Sequence, residues 1–180
     1  MKYDFNYWQF SPENQYLDRK SARKKPSELL KHLIAFANAD GGQLIIGIED
    51  EKQDNIITGF KDGKAYPIDD FKKIDREMRD TPLDLSFEEI PVVNHKGEDD
   101  LILIISVELS SNRVIAAPND EVYLRQGDES VKLSYEQRMQ LSYDKGQRFF
   151  EDEIIEDATL DDIDELLVQD FKDHFDISER

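Results

Sequence analysis

Ahead of the first strong helical pattern stand Glu13, Asp18 and Lys20, and behind it runs the block Ala35-Phe36-Ala37-Asn38-Ala39-Asp40-Gly41-Gly42 to Gly47-Ile48-Glu49-Asp50. These stretches hold the side chains best suited to chemistry. Carboxylates that converge can hold Mg2+ or Mn2+, polarise a phosphodiester and activate water without cysteine or histidine. A lysine on the same face could offset charge on a phosphate under attack. The residues also have plainer uses: Glu13 can cap a turn, Asp18 can pair with Lys20 or Arg23, and Asp50 can end a strand in a polar turn.

Several other chemistries drop out. The chain has no cysteine, which removes disulfides, thiolate nucleophiles and Cys-based zinc sites. His32, His95 and His174 share no metal-like spacing, and His32, inside a helical pattern, reads as a packed or surface histidine rather than a base. There is no G-x4-G-K-[ST] and therefore no P-loop ATPase motif, nor a G-x-S-x-G nucleophile motif. The glycines of Asp40-Gly41-Gly42 read as a helix C-cap and a tight turn into a strand.

The elements that must position these groups can be traced by period. Residues 1–10 include Tyr3, Phe5, Tyr7, Trp8 and Phe10, partly alternating, which predicts a strand or hook docked on the body. Ser11-Pro12-Glu13-Asn14 reads as a turn. Residues 15–21 read as a short strand on which Asp18 and Lys20 share one face and Leu17 and Arg19 the other. A helix runs from Pro26 or Ser27 to Ala39, with apolar Leu29, Leu30, Leu33, Ile34, Phe36 and Ala37 at helical spacing. Residues 43–48 form a strand covered on both faces, with residues 55–60 as its hairpin partner and an amphipathic helix following at about 68–78. Residues 85–93 and 101–109 form a hairpin around the loop 94–98. A turn at 117–120, a strand at 122–125, a bend at Gly127 and a helix at about 134–143 complete the order. It predicts an α+β fold, a mixed, mostly antiparallel sheet with about three helices packed on it, plus a C-terminal acidic helix.

The chain has 180 residues and a formal charge of -18. Residues 1–32 carry seven bases and four acids, whereas residues 151–180 carry two bases and 13 acids. This argues for one domain at 1–148, followed by an acidic linker and amphipathic helix at 149–180. Thr159-Leu160-Asp161-Asp162 caps a helix with Ile163, Leu166, Leu167, Phe171 and Phe175 on one face. That stripe needs a cover: the same body, a second subunit in a homo-oligomer, or a further C-terminal domain. No apolar run is long enough to cross a bilayer and the start lacks a secretory signal, so the expectation is a cytoplasmic protein with no membrane partner. The charge argues against indiscriminate binding to nucleic acid. Arg19, Lys20, Arg23, Lys24 and Lys25 form the one basic cluster, suited to phosphate contact or to a solvated loop.

Taken together, Pro12-Glu13, Asp18 and Lys20, then Glu28-Leu29-Leu30, Ala35-Phe36-Ala37-Asn38, Asp40-Gly41-Gly42, Leu44, Ile46-Gly47-Ile48-Glu49-Asp50 and Gly59-Phe60 resemble the Schlafen AlbA-type domain. The resemblance covers most of residues 11–142. The segment Val122-Tyr123-Leu124-Arg125-Gln126-Gly127-Asp128-Glu129-Ser130 is similar to the family's Y-x-R-x-G-S-x-T. Bacterial members are described as DNA-binding proteins, transcriptional regulators or ATP-binding proteins, and in vertebrate Schlafens the similar domain belongs to an RNA-cleaving core with three carboxylates. By motif those carboxylates fall on Glu13, Asp18 and Asp50. Asp18 stands where the family usually has Glu, a reach shorter by one bond, and Arg19 where it usually has Phe. The resemblance implies a nucleic-acid-binding (DNA or RNA) regulatory module. Its alternatives are an endoribonuclease holding Mg2+ or Mn2+ on Glu13, Asp18 and Asp50 with Lys20 assisting, and a protein-interaction or oligomerisation module.

Overall fold

The structure is a computed structural model that describes residues 5–49, 55–76, 78, 82–146, 166, 167 and 174. The chain divides into two units, Met1–Arg148 and Phe149–Arg180. In the second, Leu166, Leu167 and His174 are helical and exposed; the rest of the predicted acidic helix and its apolar stripe lies outside the described residues.

The first unit is α+β. Its centre is a four-stranded sheet of β1 (Leu17–Lys20), β2 (Gly42–Ile46), β3 (Leu85–Val93) and β4 (Asp99–Val107), in the order β1-β2-β4-β3. Strands β1 and β2 are parallel and are joined through helix α2 (Pro26–Asn38), while β4 runs antiparallel to both β2 and β3. Pleating divides the apolar side chains between two faces. Leu44, Ile46, Leu103, Ile105 and Val107 pack with Leu29, Leu30, Leu33, Ile34 and Phe36 of α2. Leu17, Ile45, Ile102 and Ile104 pack on the opposite face with Trp8. A two-stranded sheet, β5 (Tyr123–Gln126) and β6 (Glu129–Lys132), follows, and the first unit ends in α4 (Tyr135–Asp144), whose N-terminus is closed by a Ser134–Gln137 capping box.

Three expectations change. Residues Phe5–Phe10 form a helix, α1, rather than a strand. Phe5 and Trp8 are spaced one helical turn apart, and the Trp8 indole donates to Gln43 Oε1 at 3.1 Å. Residues 55–60 pair not with β2 itself, whose edges are taken by β1 and β4, but with the residues just beyond it: the antiparallel bridge Ile48↔Ile57 is flanked by Glu49 N to Ile56 O at 2.9 Å and Thr58 N to Gly47 O at 3.0 Å. The helix expected at 68–78 is a single turn, α3 (Ile68–Phe71). Phe71, Ile74 and Met78 keep their apolar spacing, but Ile74 N bonds Phe71 O and Met78 N bonds Asp75 O in successive turns. The sequence also missed β6.

The two outer strands are finished differently. Along β1, Arg19 N donates to Glu13 Oε1 at 2.8 Å, Leu17 O accepts from Asn14 N and Arg125 Nη2, and Arg19 O accepts from Lys20 Nζ. Strand β3 carries Pro91, which has no N–H to offer.

Candidate functional site

The parallel register Asp18↔Leu44 and Lys20↔Ile46 turns Asp18 and Lys20 toward α2, as their spacing predicts. Asp18 is 1% exposed and receives three cationic or donor groups. Lys20 Nζ pairs with Oδ1, while Oδ2 faces His32 Nδ1 at 3.1 Å and Arg125 Nη1 at 3.2 Å. Burial alone would raise the Asp18 pKa, but the His32 hydrogen bond and the Lys20 ammonium outweigh it and hold the carboxyl well below the usual range. Burial in turn lowers the pKa of His32 despite the carboxylate beside it. At neutral pH the pair is therefore an aspartate and a neutral imidazole donating through Nδ1; Ser130 Oγ lies 3.0 Å from the same nitrogen.

Glu13 meets this group from the turn before β1. Burial together with the charge of Asp18 beside it pushes the Glu13 pKa up to about 6. Its other role is structural, as the acceptor for Arg19 N on the strand's outer edge.

Two residues without a role assigned from sequence complete the network. Arg125 is fully buried and spreads its guanidinium over Asn14 O, Leu17 O and Asp18, with its Cζ 4.8 Å above the Phe36 ring. Asn38 holds Arg125's strand in place: its Nδ2 donates to Ile115 O at 2.8 Å and Tyr123 O at 2.9 Å, and its Oδ1 accepts from Ile115 N. The Asn of Ala35-Phe36-Ala37-Asn38 and the Arg of Tyr123-Leu124-Arg125 are thus parts of one clamp. The motif positions carried the signal for both; the partners that give them meaning are remote in sequence. The Asp40-Gly41-Gly42 glycines end the helix as expected, with Gly41 N bonded to Phe36 O at 2.9 Å. Gly41 has φ +76, and a Cβ there would lie 2.7 Å from Val107 O.

Of the three predicted carboxylates, Glu13 and Asp18 come together, and Asp50 lies outside the described residues. Its neighbour Glu49 is buried and accepts from Ser21 Oγ at 2.8 Å and Thr58 Oγ1 at 3.1 Å. Whether the three carboxylates could share a cation turns on Asp50; the two that are described are engaged with protein groups. Asp18 engages both oxygens with positive or donor groups, and among the described residues no three His, Asp or Glu side chains are placed to hold a metal ion. A cleft of about 510 Å3 lined by Pro82, Asp84, Glu108 and Arg113 includes none of Glu13, Asp18, Lys20, His32 and Arg125.

The basic cluster splits. Arg19 is 0% exposed; its Nε donates to Trp8 O at 2.5 Å and its Nη2 to Ser11 O, so it fastens α1 to β1 instead of facing solvent. Lys20 is 20% exposed and paired with Asp18. Arg23 is exposed and reaches Asp62 through Nε at 2.6 Å. Lys24 and Lys25 are exposed beside the N-terminus of α2, where Lys25 supplies no side-chain cap.

A family model described as Schlafen, AlbA_2 matches residues 13–134, the span that contains the whole of this network. The chain belongs to the Schlafen AlbA_2 family. Membership supports a nucleic-acid-related regulatory domain. Among solved structures, the Schlafen AlbA_2 chain is similar to the DIP2311 protein from Corynebacterium diphtheriae, with 20% identity and a TM-score of 0.50, over 92% of this chain and 36% of that one. That likeness concerns the fold. No functionally curated protein matches the chain. No helix among the described residues is long and apolar enough to cross a membrane.

Proposed function

We propose that the Schlafen AlbA_2 unit is a nucleic-acid-binding regulatory module rather than a nuclease. The observation that carries this reading is the separation of two kinds of charge around β1. Asp18 is held inside by the charges of Lys20 and Arg125 and by the His32 ring, while Arg23, Lys24 and Lys25 stay on the surface at the start of α2. Backbone N–H groups at a helix start favour phosphate oxygens, and lysines beside them add counterion release. The buried network then acts as scaffold: it fixes β1, and with β1 the loop that displays the bases.

The experiment is a binding titration with labelled RNA and DNA at several salt concentrations. A Lys24→Glu, Lys25→Glu variant is expected to bind more weakly and with a shallower salt dependence, by roughly 0.7 to 0.9 in log–log slope for each phosphate it no longer neutralises. Binding identical to wild type would move the interaction away from this loop.

A further inference from the structure

The loop that carries Arg23 to Lys25 does not stand alone. Tyr66 N donates to Ala22 O at 2.9 Å, which draws residues 61–66 against it, and Arg23 Nε holds Asp62 at 2.6 Å. A third loop joins them: His95 N donates to Ile57 O at 2.9 Å, and Asn94 and the N–H groups of Phe60 and Lys61 converge on Asp100. Lys96 is close enough that its ammonium acts on the Asp62 carboxylate. Lys24, Lys25, Lys61, Lys64 and Lys96 are all exposed, and Tyr66, 39% exposed, stands between Lys64 and Pro67. Asp62, the acid of residues 61–66, is itself bound by Arg23, and Glu98, in the loop of Lys96, accepts from Asn94 Nδ2 at 3.2 Å.

We propose that these three loops form one binding face for single-stranded nucleic acid, with Arg23, Lys24, Lys25, Lys61, Lys64 and Lys96 tracking phosphates and Tyr66 stacking on an unpaired base. The inference rests on the nucleic-acid reading above and deepens it. A partly exposed aromatic ring among lysines suits a base whose face is open, and duplex bases offer no such face. Elsewhere the chain is acidic, which repels a polyanion from other surfaces and concentrates binding here.

The test compares a labelled single-stranded oligonucleotide with its duplex by fluorescence anisotropy. Wild type is expected to favour the single strand. Tyr66→Ala should lose roughly fivefold or more in single-strand affinity, with little change for duplex, and Tyr66→Phe should retain it. Lys61→Glu with Lys64→Glu should flatten the salt dependence for single strands by about 1.4 in log–log slope, the share of two neutralised phosphates. Melting by circular dichroism checks that each variant is folded. Should wild type bind neither form, the nucleic-acid reading and this face both fail. Should Lys24→Glu, Lys25→Glu weaken binding while the Lys61, Lys64 and Tyr66 variants leave it unchanged, this face alone fails. Equal losses for single strand and duplex in Tyr66→Ala would overturn the stacking role.

Discussion

Arg125 and Asp18 are 107 residues apart in sequence, yet Arg125 Nη1 donates to Asp18 Oδ2 at 3.2 Å between side chains 0% and 1% exposed. The pairing ties the small β5–β6 sheet to the outermost strand of the main one. Because Arg125 also serves the carbonyls of Asn14 and Leu17, its fork organises the turn that carries Glu13 as well as the strand that carries Asp18.

Arg125→Met is therefore expected to destabilise the fold by about 3 kcal/mol, the low end of the cost of breaking a buried ion pair, since Asp18 keeps Lys20 while Asn14 O loses its donor. Arg125→Lys should recover only part of this, since an ammonium cannot copy the fork. Urea denaturation measures both; a loss under about 1 kcal/mol for the Met variant would mean the clamp is dispensable.

Glu13 gives a pH signature of definite sign. Its folded pKa of about 6 lies above its ordinary 4.5, so the folded chain takes up a proton more readily than the unfolded one. Its contribution to stability rises as pH falls through 6 and is complete below 4.5. His32, whose folded pKa is depressed, works in the opposite direction below its ordinary 6.5. Glu13→Gln isolates the first effect. The variant should be at least as stable as wild type at pH 7.5 and lose that advantage toward pH 5. A difference independent of pH would show that folding does not raise the Glu13 pKa.

Gly59 provides a backbone test. Its φ is +64, and a Cβ there would come within 2.3 Å of the Asp100 carboxyl. Gly59→Ala should cost at least about 1–2 kcal/mol from the left-handed backbone alone, with the clash added. Because Asp100 fixes Lys61, the substitution should also weaken nucleic-acid binding more than its effect on melting temperature suggests. A wild-type melting curve for Gly59→Ala would contradict this packing.

Much of the frame was legible because it depends on local period. The α2 pattern, the Asp18 and Lys20 face and the Ser134 start of α4 all follow from neighbouring residues. What escaped was set by remote partners. Trp8 belongs to a helix because Gln43 and the far sheet face receive it, and residues 55–60 pair with residues 47–49, beyond β2, because β1 and β4 already flank β2. His32 looked ordinary because nothing nearby in sequence shows that Asp18 lies against it. Arg19 looked like a surface base because the carbonyls of Trp8 and Ser11 that bury it belong to a helix read as a strand and to the turn that follows.

The fully paired state of Asp18 also bears on catalysis. With Mn2+ present, wild type is expected to cleave neither tRNA nor single-stranded DNA above the level of an Asp18→Asn preparation purified in parallel. Cleavage by wild type that disappears in both Asp18→Asn and Asp50→Ala would restore the carboxylate nuclease and displace the binding module.

The finishing of the outer strands has a further consequence for how the protein behaves in company. One border of the sheet has its polar backbone groups occupied by Glu13, Asn14, Lys20 and Arg125, and the other is interrupted by Pro91. The first leaves little backbone on which an extended segment from another molecule could be copied, and Pro91 confines any such pairing along the second to residues 85–90.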